Sequence, residues 1–195
     1  MRSMQSTWKG LLKDLFTLGI LIVIVVIPIR TFIVSPYIVD GASMHPTFEN
    51  LDYLVVDQIV YNFHAPKRGD IVVFRYPKDP SVFYIKRVIG LPGEKISIRN
   101  GVVHIIDAGG KENSLHEPYI VNEDATYTKD VTLSSDEYFV MGDNRPHSSD
   151  SRMWGPLREK YIVGRVDLRL FPIQKMSLFP GLMVYPEMDP SISSL

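Results

Sequence analysis

Cysteine is absent from the 195 residues, which removes thiolate nucleophiles, disulfides and cysteine-ligated zinc together. That absence leaves the compartment open, because many exported domains fold without disulfides. An excess of one charge is missing too. With 21 basic and 22 acidic side chains the formal net charge is -1, so no basic field points to a nucleic-acid partner. The five histidines, His45, His64, His104, His116 and His147, show no H-x-x-x-H spacing, and no metal or other cofactor is expected. Internal repeats and low-complexity tracts are also lacking.

What is present is 45% hydrophobic residues, enough for one main folded unit with a real core. Near the N-terminus, "LFTLGILIVIVVIPI" from Leu15 to Ile29 carries no charge. A bilayer span needs about 20 residues; Arg30 can snorkel toward headgroups and let Thr31 to Val34 complete the length. The run is apolar all round and lacks the small residues of a signal-peptide cleavage site, which argues against both an amphipathic core helix and a removable leader. Arg2, Lys9 and Lys13 precede it against Asp14 alone. The positive-inside rule then orients it with the N-terminus in the cytoplasm. The expected organisation is a cytoplasmic segment over 1–13, a single transmembrane anchor over 14–34 and an extracytoplasmic body over 35–195.

Beyond Val34, short apolar runs alternate with Gly, Pro, Asn and Asp punctuation, which predicts a mainly β body. In "KISIRNGVVHII" the Asn100-Gly101 pair between alternating segments predicts a hairpin. Residues from about 100 to 136, most polar over 107–136, read as a variable insertion, and the tail "PEMDPSISSL" as frayed.

Three stretches carry chemistry. "GASMHPTF", residues 41 to 48, sets Ser43 about nine residues past Val34, close to where the anchor would leave the membrane. A serine hydroxyl needs a neighbouring base. No G-x-S-x-G elbow is present, and nothing specifically pairs a histidine and an acid with Ser43. A neutral lysine is the other established partner of serine. In "VFYIKRVIG" strand alternation sets Val82, Tyr84 and Val88 on the side of Lys86, and Phe83, Ile85 and Ile89 on the side of Arg87. Lys86 is therefore the lysine poised for desolvation, whereas Lys67 and Lys78 fall in turns and Lys95 shares its face with Ser97 and Arg99. Taken singly, a strand lysine more often covers apolar surface, and a serine before proline more often shapes a turn. The third stretch, "MGDNRPHSSDSRMWGP" over 141–156, holds two Asp/Arg pairs, Asp143 with Arg145 and Asp150 with Arg152, and three serines, Ser148, Ser149 and Ser151. It reads either as a hydrophilic loop pinned by ion pairs or as a rigid shelf whose serine orients the lysine amine, and the residues alone do not choose the serine.

In their order, "SMHPTF", "YIKRVIGLPGE" and "GDNRPHSSDSRMWG", with "RTF" at the end of the apolar run and the later "RGDIVVFRYP", resemble the motif boxes of bacterial type I signal (leader) peptidases. The resemblance spans most of residues 30 to 172. It implies an antiparallel β catalytic core with a smaller β insertion, and a serine endopeptidase that removes signal peptides from exported preproteins after an A-x-A-like site. Ser43 matches the nucleophile, Lys86 the general base and Ser148 the serine that orients the lysine. Asp143, Arg145, Asp150 and Arg152 match residues that hold the site together. The Ser43 backbone N–H matches one oxyanion donor; Gly41 stands where some members have a second donor, and its backbone is a candidate substitute. Val39, Met44, Tyr84 and Ile85 match the neighbourhood of the clefts for the substrate's -1 and -3 side chains. Partners would be preproteins and the lipid bilayer of a bacterial cytoplasmic membrane. Two rival readings remain: a protease that uses His45 or His147 as base, and an anchored non-enzymatic β module that binds exported chains. The "RGD" at residues 68 to 70 fits the turn that opens the "IVVF" strand better than an adhesion motif.

Overall fold

The computed structural model describes residues 2–21, 34–107, 109–122 and 125–185. A helix, α1 (Arg2–Leu21), comes first. Among the described residues no helix is long and apolar enough to cross a membrane. The anchor expected over 14–34 falls largely on residues 22–33, which lie outside the described residues, as do "RTF" and the tail from residue 186.

The body is antiparallel β throughout. Its strands are β1 (Val34–Ile38), β2 (Tyr53–Asp57), β3 (Ile71–Tyr76), β4 (Asp79–Gly90), β5 (Lys95–Arg99), β6 (Val102–Ile106), β7 (Glu112–Ser114), β8 (Lys129–Thr132), β9 (Glu137–Met141), β10 (Leu157–Arg158), β11 (Ile162–Phe171) and β12 (Ser177–Leu178). A large sheet runs β1-β2-β11-β3-β4-β9-β10, with β12 beside β11. A small sheet runs β7-β6-β5-β8. β5 and β6 form the expected hairpin, and Asn100 and Gly101 take the positive φ values, 50° and 82°, that a two-residue primed turn requires.

β3 explains why the large sheet is buried on both faces. Ile71 and Val73 join Val39, Met44, Phe48, Leu54, Val56 and Val166 in one core, while Val72 and Phe74 join Val88, Tyr138, Val140 and Leu157 in another. A third core sits against the small sheet, where Ile89, Phe139 and Met141 meet Ile96, Ile98, Val103 and Ile105. Adjacent residues of one strand thus feed different cores, as the two-residue period demands.

β4 is the element that positions the chemistry. Its first half projects as an exposed arm with β3, and its last five residues, Lys86–Gly90, are buried. Burial of apolar neighbours was expected from Val82 onward; Val82 and Phe83 remain about 40% exposed because the arm extends beyond the cores, and burial sets in only past Tyr84. Arg68 and Asp70 of the "RGD" are buried where the chain turns into β3, which leaves no adhesive tripeptide on the surface. After β12 the chain returns across the large sheet, and the Gly181 carbonyl accepts a hydrogen bond from Arg87 Nη1 at 2.6 Å.

Candidate active site

The turn 41–48 is nailed down from both sides. Met44 and Phe48, 1% and 0% exposed, sink into the core beneath it, and the Phe48 N–H donates to the Met44 carbonyl. From above, Asn144 donates its backbone N–H to the Ser43 carbonyl and its Nδ2 to the Ala42 carbonyl, each at 3.0 Å. Thr47 Oγ1 adds a 2.5 Å hydrogen bond to Asp143 Oδ2. Ser43 is left half-buried at the floor of a cleft of about 300 Å³.

Lys86 reaches this hydroxyl from β4. Its Nζ makes a 2.7 Å hydrogen bond with Ser43 Oγ and donates another, also 2.7 Å, to the Ile85 carbonyl. The side chain is 3% exposed, and its amine stands 5.4 Å from the centre of the Tyr84 ring. Burial pushes the amine down from its usual 10.5 to about 8, against the opposing pull of the Asp150 and Asp143 carboxylates. A neutral amine has two N–H groups and one lone pair. The Ile85 carbonyl takes one N–H, so the lone pair is available to accept the Ser43 proton.

Ser148 is buried beside this pair, but its hydroxyl donates to Asp150 Oδ2 at 2.7 Å, and no hydrogen bond joins it to Lys86. The same Asp150 carboxylate accepts from the Gly142 N–H at 3.0 Å and from Arg152 Nε and Nη2 at 2.9 and 3.0 Å. Gly142 lies at the closest approach: a Cβ there would stand 2.3 Å from Ser148 Oγ and 2.4 Å from the Ser43 carbonyl oxygen. No other residue lets the Ser43 turn and the Ser148 shelf come so near.

Three expectations are corrected. The ion pairs of 141–156 are buried, and only Asp150 with Arg152 pairs as expected. Asp143 instead binds Arg87 through Nε at 2.9 Å and Nη2 at 2.7 Å, and Arg145 pairs with Glu117 at 2.5 Å. The reason is directional: two neighbours on a tight turn point apart, and each charge finds a partner from another element. Met44 does not line the cleft, because its side chain fills the core below; Val39, Tyr84 and Ile85 do line it, together with Tyr37, Leu54 and Val73. The Gly41 N–H already donates to Asn50 Oδ1 at 2.9 Å, so it is not free as a second oxyanion donor. Ser97, on the face it shares with the exposed Lys95, is fully buried and donates to Asp130. Among the described residues the Ser43 N–H has no acceptor.

Among the described residues no hydrogen bond joins a histidine to Ser43 or Lys86. His45 Nδ1 hydrogen-bonds Glu49 Oε1 at 3.1 Å, and His147 sits exposed on the cleft rim. The clamp by Asn144 and the Arg87–Asp143 pair were not anticipated. For Asn144 the only signal was its place in a turn-rich stretch, and for Glu117 there was none.

The signal peptidase family, peptidase S26, matches residues 12–171. A probable signal peptidase I-1 of Synechocystis sp. is 34% identical over 177 residues, covering 87% of each chain. The signal peptidase I of Leptolyngbya laminosa is 36% identical over 85% of this chain and 82% of its own. That of Bacillus caldolyticus is 37% identical over 80% and 89%.

Proposed function

The chain belongs to the signal peptidase family, peptidase S26, and from that premise we propose that it is a membrane-anchored serine endopeptidase that removes signal peptides from exported preproteins with Ser43 as nucleophile and Lys86 as general base. The observation that carries the reading is the 2.7 Å contact between a buried amine lowered to about 8 and a hydroxyl at the floor of an apolar cleft. At pH 7 about a tenth of such amines are neutral, and that fraction rises with pH.

In the first step the Ser43 proton passes to the Lys86 lone pair while Oγ bonds to the scissile carbonyl carbon. The oxygen of that carbonyl gains a negative charge, and the unengaged Ser43 N–H is the donor nearest to receive it. Collapse breaks the C–N bond, and the Lys86 ammonium returns the proton to the departing amine. An ester on Ser43 remains. Lys86, neutral again, takes a proton from water, whose oxygen attacks the ester; the second collapse regenerates the Ser43 hydroxyl and frees the signal peptide.

Substrate choice follows from the cleft walls. Val39, Leu54, Val73, Tyr84 and Ile85 offer shape and few hydrogen bonds, so small side chains fit and large ones overpack. This supports a preference for alanine at the -1 and -3 positions. Asp143, Arg145, Asp150 and Arg152 act as holders of the shelf, and the Ser148 hydroxyl, bonded to Asp150, is held within it beside the Ser43 turn. An anchor over 14–34, oriented N-terminus inside, would hold Ser43 at the outer membrane surface, where the cleavable bond of a membrane-inserted signal emerges.

The test is cleavage of a preprotein by the full chain in detergent. Wild type is expected to cut after an A-x-A site, and both Ser43→Ala and Lys86→Ala to lose the activity. Retained cleavage in either variant, with loss in His45→Ala or His147→Ala, would overturn the assignment of the base.

A further inference from the structure

The small sheet and its loops grip the catalytic shelf at both ends. At one end the Glu117 carboxylate takes Arg145 Nη2 at 2.5 Å and Nη1 at 3.3 Å, with side chains 8% and 3% exposed. Arg145 in turn donates from Nε to the Gly142 carbonyl at 2.9 Å. At the other end Tyr127 Oη and Lys129 Nζ both donate to the Arg152 carbonyl, at 2.7 and 2.8 Å. Between these points lie Ser148 and Asp150. Tyr119 links the two hubs: its hydroxyl donates to Glu117 Oε1 at 2.7 Å and its ring covers the Arg87 guanidinium at 3.9 Å.

We propose that Glu117, with Tyr127 and Lys129, forms a brace through which the small sheet positions the 142–152 shelf against Ser43 and Lys86. These are positioning residues that touch no substrate. The physical argument is one of tolerance. The groups facing Lys86 are Asp143 and Asp150 from the shelf, the Tyr84 ring on its own strand, Ser43 below and His147 across the cleft. Three of these five, Asp143, His147 and Asp150, ride on the segment that the brace holds. A displacement of about 1 Å there would admit water to the amine, restore its charge and cost up to about 100-fold in rate. The inference rests on the proposed Ser43–Lys86 chemistry for its kinetic part only.

The experiment compares Glu117→Gln, Glu117→Asp and Lys129→Met with wild type in the full chain, by preprotein cleavage against pH and by amide hydrogen exchange. In Glu117→Gln, kcat is expected to fall about 10- to 100-fold with KM within about twofold, and the acid limb of the profile to move to higher pH. Amides of 142–152 should exchange about tenfold faster while those of β3 and β11 stay unchanged. Glu117→Asp should recover most of the rate, and Lys129→Met should show a milder version of both effects. A folded Glu117→Gln protein with the wild-type acid limb and wild-type exchange overturns the brace. Should Glu117→Gln not fold, Lys129→Met decides alone, and unchanged limb and exchange there overturn it equally. Faster exchange in Glu117→Gln beside a wild type that never cleaves would sink the proposed function and leave the brace standing.

Discussion

Lys86 and Arg87 are neighbours on β4, and both cations are buried, by opposite means. On one face the lysine is 3% exposed with no carboxylate hydrogen-bonded to it, and burial lowers its amine to about 8, so that its charge is held at a cost and readily given up. On the other face Arg87 is wholly buried and keeps its charge, because Asp143 takes two of its nitrogens and the Gly69 and Gly181 carbonyls take a third. The difference teaches why the site needs both residue types. A guanidinium cannot give up its proton at ordinary pH, so it organises; an amine can, as the proposed base must.

The sharpest way to break that comparison is to exchange the roles. Lys86→Arg keeps a cation in place but removes the base, and kcat for preprotein cleavage should drop about 10³- to 10⁴-fold, as in Lys86→Ala. Next in size is Arg87→Met, which leaves Asp143 as a buried, unpaired carboxylate; urea titration should find a loss of about 3–5 kcal/mol. The opposite sign is expected at the neighbouring position. Below pH 8 the folded chain must protonate an amine it disfavours, a penalty of about 3 kcal/mol for a shift from 10.5 to about 8. Lys86→Met should therefore be more stable than wild type by about that amount at pH 7. Because the unfolded chain binds more protons between about 8 and 10.5, wild type gains stability as pH rises through that window, and the advantage of the variant should vanish by its upper end. Smallest is Asn144→Ala, which frees the Ala42 carbonyl but keeps the backbone bond to Ser43; about a tenfold loss of kcat is expected, with KM little changed.

Local pattern made half of this visible in advance. Alternation in "VFYIKRVIG" separates Lys86 from Arg87, and the Asn100-Gly101 turn is written in two residues, because strand period and turn chemistry are properties of neighbours. The shelf is different. Asp143 reaches Arg87 across 56 positions and Arg145 reaches Glu117 across 28, and those choices exist only once both sheets have closed. Met44, placed near the clefts by the resemblance alone, goes elsewhere because a turn alternates the direction of its side chains and sends this one into the core. Exposure of Val82 and Phe83 depends on how far an arm outruns its sheet, which composition does not encode.

The carbonyl that Gly181 lends to Arg87 lies downstream of every strand among the described residues. Biosynthesis therefore delivers one of the guanidinium's acceptors last. A nascent chain halted after β12 would hold Ser43 and Lys86 already translated yet lack one bond of the hub beneath them.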